Sequence, residues 1–211
     1  MNTDIKYWFF KKALTDKNCS DILELVKSNE LQLGLTGKQK SLKNKNKLSK
    51  KQIKDLKKTR NSNILFKNDP WLYRLITPYV DIANKNAGWN YEISWYESFQ
   101  ITSYKKNQHY DWHQDGWPEP YKSEDPNFNN KIRKLSVICS LMDSKDYTGG
   151  KVEFFTPDPN LKNGGTIYEV KELKEKGTII VFPSHIFHKV NPIIKGHRYS
   201  LVLWGLGYPF K

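Results

Sequence analysis

The sequence predicts a mainly β chain whose helices gather at its N-terminus, and three observations carry that expectation. From Tyr91 onward, short runs of alternating apolar and polar residues recur between glycine-bearing turns, the spacing of an all-β sandwich or jelly roll. Before Tyr91 the apolar residues instead fall at helical spacing. No internal repeat is visible, and 211 residues suffice for a single domain with a substantial core.

Taken in order, Tyr7 to Leu14 reads as a first strand. Thr15 or Asp16 caps a helix running to about Ser28, with Ile22, Leu25 and Val26 on its apolar side. A lysine-rich segment follows, with a short helix from Ser49 through Ile53 and Leu56. Asp69-Pro70 is an N-cap followed by proline at the first helical position. Trp71, Leu72, Leu75, Tyr79, Ile82 and Ala83 then recur at helical spacing, Pro78 is expected to bend or split the helix, and Asn86-Ala87-Gly88 ends it. Strands are expected over 91–96, 98–104, 110–114, 132–142, 150–156, 166–170, 177–182, 186–190 and 197–206. Gly149-Gly150, Asn163-Gly164-Gly165 and Lys176-Gly177 punctuate them. Residues 116–130 form a proline-rich polar loop that suits a lid over a bound substrate.

Alternation assigns strand faces. Arg198, Ser200, Val202 and Trp204 share one face, with Tyr199, Leu201 and Leu203 on the other. Gln100, Thr102 and Tyr104 oppose Phe99 and Ile101, and Ser136, Ile138 and Ser140 oppose Leu135, Val137 and Cys139. Three strands thus pair a mixed polar face with an apolar reverse, and an arginine beside a tryptophan favours a small polar cavity over open solvent.

The net charge of +13 is unevenly placed. Residues 38–60 hold ten lysines and Arg60 against one acid, Asp55, a local charge of +10. Nucleic acid is a conceivable partner for this run, but it has no aromatic for base stacking, so a solvated insertion is favoured. Cys19 and Cys139 lie too far apart in sequence for a metal motif, and a reducing, cytoplasmic setting is the simplest expectation. No apolar run is long enough to cross a membrane, and Met1 to Lys12 does not read as a signal peptide.

The chemistry lies in His113-Gln114-Asp115. At a strand end, His113 and Asp115 point the same way and offer two adjacent ligands. The third must come from another strand, where His185 and His188 compete; His188 is favoured because Val190, Pro192, Gly196 and Arg198 come after it. His109 and His197 are weaker candidates. Two histidines and a carboxylate leave three positions of an octahedral Fe(II) open. They also suit hydrolytic Zn(II), which would not explain Arg198, Ser200 and Tyr104 gathering on the same faces.

At these residues the chain resembles the Fe(II)/2-oxoglutarate-dependent oxygenases, in particular the prolyl 4-hydroxylase-like branch and its small bacterial and viral members. The matching stretches are QITSYKKNQHYDWHQD, DYTGGKVEFF, KGTIIVFPSHIFHKVNP and GHRYSLVLW, across about residues 90–206. The resemblance implies a double-stranded β-helix core over 91–206 in one 1–211 domain, buttressed by the helices of 1–90. It implies that His113, Asp115 and His188 bind Fe(II), and that Arg198 pairs with the far carboxylate of 2-oxoglutarate, helped by Tyr104 and Ser200. Trp204 and Ile138 would wall that pocket. The implied reaction consumes O2 and 2-oxoglutarate, releases succinate and CO2 and hydroxylates an unactivated C–H bond, with ascorbate as accessory reductant. A prolyl residue in a protein or peptide is the leading substrate, and a free amino acid or other small molecule is the alternative. Asp115 fills the position a halogenase leaves vacant, and Trp204 stands where the nucleic-acid demethylases carry a second arginine. A non-catalytic nucleic-acid- or protein-binding module with a vestigial metal site is the reading from a different class, and the intact triad with Arg198 argues against it.

Overall fold

The computed structural model describes residues 5–34 and 49–210. In chain order the strands are β1 (Trp8–Phe10), β2 (Gln32–Leu33), β3 (Arg60–Asn61), β4 (Asn63–Lys67), β5 (Trp95–Tyr96), β6 (Phe99–Tyr104), β7 (His109–His113), β8 (Ile132–Ser140), β9 (Tyr147–Gly149), β10 (Val152–Pro157), β11 (Gly165–Glu169), β12 (Ile179–Pro183), β13 (Phe187–Val190), β14 (Ile193–Gly196) and β15 (Arg198–Gly207). The helices are α1 (Asp16–Lys27), α2 (Lys50–Thr59) and α3 (Pro70–Asn86). The major sheet runs β1-β12-β8-β15-β6-β4-β2, with β5 paired to the far end of β15; the minor sheet runs β11-β10-β13-β7-β3. Neighbouring strands within both sheets pair antiparallel, and the two sheets make the jelly roll of a double-stranded β-helix.

Strand alternation divides the interior into two cores. Leu135, Val137 and Cys139 of β8 and Leu201 and Leu203 of β15 point to one side, where Cys19 and Ile22 of α1 and Leu72, Ile76 and Val80 of α3 cover them. The helices therefore cover one face of the major sheet's central strands. The opposite face turns inward on the minor sheet, where Ile138, Ile180 and Phe182 meet Val152, Phe154 and Val190. The functional side chains sit between the sheets.

The helix ends follow their local chemistry. Thr15 and Ser49 each close a reciprocal capping box, with Asn18 and Gln52, satisfying backbone N–H groups that a helix start leaves open. Of the bend or split expected at Pro78, the split does not occur: α3 runs unbroken from Pro70 to Asn86. Ile76 and Val80, on either side of the proline, are both fully buried against the sheet, so packing outweighs the one lost backbone bond. The first 90 residues also supply more than buttressing helices. β1, β2 and β4 extend the major sheet and β3 closes the edge of the minor one. Of the lysine-rich segment, residues 38–48 lie outside the described residues; 49–60 form α2 and the start of β3.

Among the described residues no helix is long and apolar enough to cross a membrane.

Candidate active site

His113 closes β7, and His188 lies directly opposite it on β13 in antiparallel register. Asp115 lies just past the strand end, where its backbone N–H and that of Gly116 both donate to the carbonyl of Ser184. These bonds tie the HxD turn to the β12–β13 connection and bring three ligand atoms within 4.8 Å of one another. Asp115 Oδ1 lies 3.8 Å from His113 Nε2, and its Oδ2 lies 3.6 Å from His188 Nε2. The Nδ1 atoms face backbone carbonyls, of Asp111 at 2.7 Å and of Ile186 at 3.0 Å. A proton on each Nδ1 fixes the tautomer and leaves both Nε2 lone pairs directed at the common centre.

The electrostatics suit a cation. Burial, then the neighbouring His188, pushes the pKa of His113 well below the ordinary histidine value, keeping it in the neutral form a metal needs. Burial works to raise that of Asp115, but His188, His113 and Arg133 outweigh it and hold the carboxyl below its usual range. The indole N–H of Trp204 makes no hydrogen bond of ordinary geometry, yet lies near enough to Asp115 to add to that effect. Below it, Arg133 stacks 3.8 Å from the Trp204 ring and forks onto Glu97, with Nε–Oε1 and Nη2–Oε2 distances of 2.5 and 2.6 Å. Glu97 keeps this arginine firmly charged against the cost of burial.

All of the sequence-predicted residues, His113, Asp115, His188, Arg198, Tyr104, Ser200, Trp204 and Ile138, line one cavity of about 910 Å³. Arg198 is 2 % exposed. It pairs across the sheet with Tyr104, whose ring centre lies 5.6 Å from the guanidinium carbon, and its Nη1 reaches Ser200 Oγ at 3.5 Å. Its Nη2 is buried with no hydrogen-bond partner among the described residues. Gly149 and Gly150 hold backbone φ angles of +81° and +62°, and a Cβ on Gly150 would collide with the Ile193 side chain and press on the Arg198 stem at 3.1 Å. The glycine pair thus gives the arginine its room. Burial raises the Tyr104 pKa, so its phenol stays a donor.

The rejected histidines sit elsewhere. His185 is exposed, and its carbonyl accepts from the Gln114 amide. His197 lies just before β15, against Tyr199 and 2.7 Å from Ser103 Oγ. His109 Nε2 meets the carbonyl of Lys58. Sequence reasoning missed two features of the site. Arg60, which in sequence belongs to the lysine-rich run, is buried in the cavity wall, 4.6 Å over the Tyr110 ring, which stacks on His113. Arg133 and Glu97, remote in sequence, form a largely buried pair, with side chains 12% and 10% exposed, against Trp204. The polar run Arg60-Asn61-Ser62 just before an apolar strand was the one signal for the first; nothing signalled the second.

The family model of the 2OG-Fe(II) oxygenase superfamily matches residues 99–205, about half of the chain, with the triad and Arg198 inside the match. The chain belongs to the 2OG-Fe(II) oxygenase superfamily. Within it, a PKHD-type hydroxylase of Synechococcus sp. (strain CC9605) is 29% identical over 108 residues, which are 51% of this chain and 40% of that protein. One of Pseudoalteromonas atlantica is 28% identical over 107 residues, 50% and 41% of the two chains. The match therefore spans less than half of these relatives' length. Solved oxygenase structures share the fold over nearly the whole chain. A viral collagen prolyl hydroxylase of Paramecium bursaria Chlorella virus-1, in complex with 2OG, aligns with TM-score 0.63 and 16% identity, covering 98% of this chain and 99% of that one. A Pseudomonas putida prolyl-4-hydroxylase aligns with TM-score 0.59 and 14% identity, covering 99% and 95%. A prolyl hydroxylase of Trichoplax adhaerens, in complex with a hypoxia inducible factor peptide fragment, aligns with TM-score 0.60 and 18% identity, covering 97% and 84%.

Proposed function

We propose that this oxygenase is an Fe(II)- and 2-oxoglutarate-dependent hydroxylase whose target is a prolyl residue in a protein or peptide. The observation that carries the reading is the buried Arg198 guanidinium, with Nη2 unsatisfied, in the same cavity as the His113–Asp115–His188 triad. A buried cation without counter-charge is costly, and the far carboxylate of a dicarboxylate held at the metal would supply that charge. The donor set fits the iron: two imidazole nitrogens and one carboxylate oxygen converge within 4.8 Å of one another, a set that would leave three positions of an octahedral Fe(II) for other ligands. When bound, the iron with 2-oxoglutarate and O2 supplies the oxidising power that delivers one oxygen atom to an unactivated C–H bond, with succinate and CO2 released.

The chain's own residues bind and orient. Arg198 offers a planar fork to the far carboxylate, which a lysine would not match. Tyr104 and Ser200 stand beside it as further donors, while Ile138 and Trp204 wall the pocket. The buried Arg133–Glu97 pair holds the Trp204 ring against Asp115, and the β-strand positions of both histidines make the ligand set rigid. The prolyl target rests on the solved prolyl hydroxylases that share the fold.

The test is to incubate the protein with Fe(II), 2-oxoglutarate and ascorbate and either a proteome digest or free amino acids. Mass spectrometry then looks for the gain of one oxygen atom. Hydroxyproline in peptides supports the reading. Product only among the free amino acids replaces the substrate, and no product with no succinate removes the activity.

A further inference from the structure

The lysine-rich segment is not accounted for by the catalytic centre, yet its described part adjoins it. α2 packs on β3 and β7, the strands that carry Arg60 and His113. Its own geometry sets which side faces out. At about 100° per residue, Ile53 and Leu56 form one stripe, and Leu56 is buried. Lys50, Lys54 and Lys57 then fall on a second stripe, with Lys51 and Lys58 beside it, and all five are exposed. One of the five, Lys58, is paired with an acid of the helix itself, Asp55 at 2.8 Å. The helix is capped by its own residues and ends at Thr59, which with Arg60 lines the cavity. A cationic face thus runs along the surface to the cavity wall, and Lys122 lines the same cavity from the 116–130 loop.

We infer that α2 is a docking surface for an acidic polypeptide segment, placed so that residues flanking the target bind the lysines while the target enters the cavity. This rests on the hydroxylase reading above and narrows its substrate class. Charge complementarity decides the occupant. The ligand side chains are only 4 to 12 % exposed, so the target must be a narrow group reaching inward from a chain that stays outside. An extended polypeptide does this residue by residue. A nucleic acid would have to bring an unstacked base down the same path, and α2 offers no aromatic platform and no arginine fork along its exposed face.

The experiment uses the whole protein loaded with Mn(II), which supports no turnover, and 2-oxoglutarate. Fluorescence anisotropy measures binding of a labelled proline-containing peptide flanked by glutamates, its glutamine counterpart, and a single-stranded oligothymidylate. Each exposed lysine–carboxylate pair contributes at most about fivefold. Reversing three lysines, in a Lys50→Glu/Lys54→Glu/Lys57→Glu variant, turns attraction into repulsion and should weaken the acidic peptide about tenfold or more. The glutamine peptide should bind more weakly than the acidic one and ignore the substitution, and added salt should erase the difference. Equal affinity for both peptides, or an unchanged affinity in the variant, overturns the inference. Lysine-dependent binding of the oligonucleotide in preference to the acidic peptide overturns it in favour of a nucleic-acid surface. With Fe(II) in place of Mn(II), slow succinate formation without substrate reports the catalytic centre separately. Its presence in both proteins shows that the reversal spares that centre, and failure of 2-oxoglutarate to bind the Mn(II)-loaded wild type refutes the hydroxylase reading whatever the peptides do.

Discussion

Replacing Arg198 by methionine removes the charge while keeping much of the stem that packs against Gly150. In the wild type the guanidinium is 2 % exposed, touches Ser200 only at 3.5 Å and leaves Nη2 without a partner. If the far carboxylate of 2-oxoglutarate completes this site, Arg198→Met strands that carboxylate in a dry pocket. Removing one member of a buried pair costs about 3–5 kcal/mol, roughly a hundredfold or more in affinity. The unliganded protein should respond in the opposite sense. It loses a buried cation that has no counter-charge among the described residues, so its unfolding free energy should hold or rise. Arg198→Lys should recover only part of the cosubstrate affinity, because a point charge cannot fork. The assays are the 2-oxoglutarate dependence of succinate formation, Mn(II) binding as a control for the metal site, and denaturant unfolding of the apoprotein. An unchanged 2-oxoglutarate requirement, or Mn(II) affinity falling in step with it, would refute the reasoning.

Alanine at His113, Asp115 or His188 should abolish 2-oxoglutarate turnover and weaken Fe(II) binding, whereas His185→Ala should be far milder; metal titration and succinate assays check both. Gly150→Ala should raise the 2-oxoglutarate requirement and lower stability by at least about 1 kcal/mol, since its φ of +62° and the contact with Ile193 both oppose a Cβ. Glu97→Gln leaves Arg133 buried without its carboxylate and should cost about 3–5 kcal/mol in denaturant unfolding. Shortening 119–129 should impair substrate hydroxylation while sparing slow, uncoupled succinate formation; wild-type hydroxylation in the folded deletion variant would rule out a lid.

The strand faces were legible because one sheet separates two unlike environments. β15 and β6 turn Leu201 and Phe99 to the helices and Arg198, Ser200, Gln100 and Thr102 to the cavity, so a simple alternation encodes both the core and the site. His188 was separable from His185 by the spacing of Val190, Pro192 and Arg198 downstream of it, and only His188 turns inward. Pro78 does not break its helix because a propensity acts locally, whereas Ile76 and Val80 are held by packing against the sheet. β9 and β14 were missed because they are three and four residues long and end in glycines with positive φ, which read as turns. Arg60 was hidden among lysines whose spacing belongs to a helix, although it lies one residue beyond that helix and on a strand. The Arg133–Glu97 pair joins residues 36 apart, and no sequence spacing encodes such a contact.

The central claim is that His113, Asp115, His188 and Arg198 together make one site for Fe(II) and 2-oxoglutarate. Anaerobic calorimetry with Mn(II), followed by 2-oxoglutarate, tests it most directly. The account predicts one metal per chain, 2-oxoglutarate binding that requires the metal, loss of both in His188→Ala, and loss of the second alone in Arg198→Met. Metal-independent 2-oxoglutarate binding, or full metal affinity in His188→Ala, would contradict it.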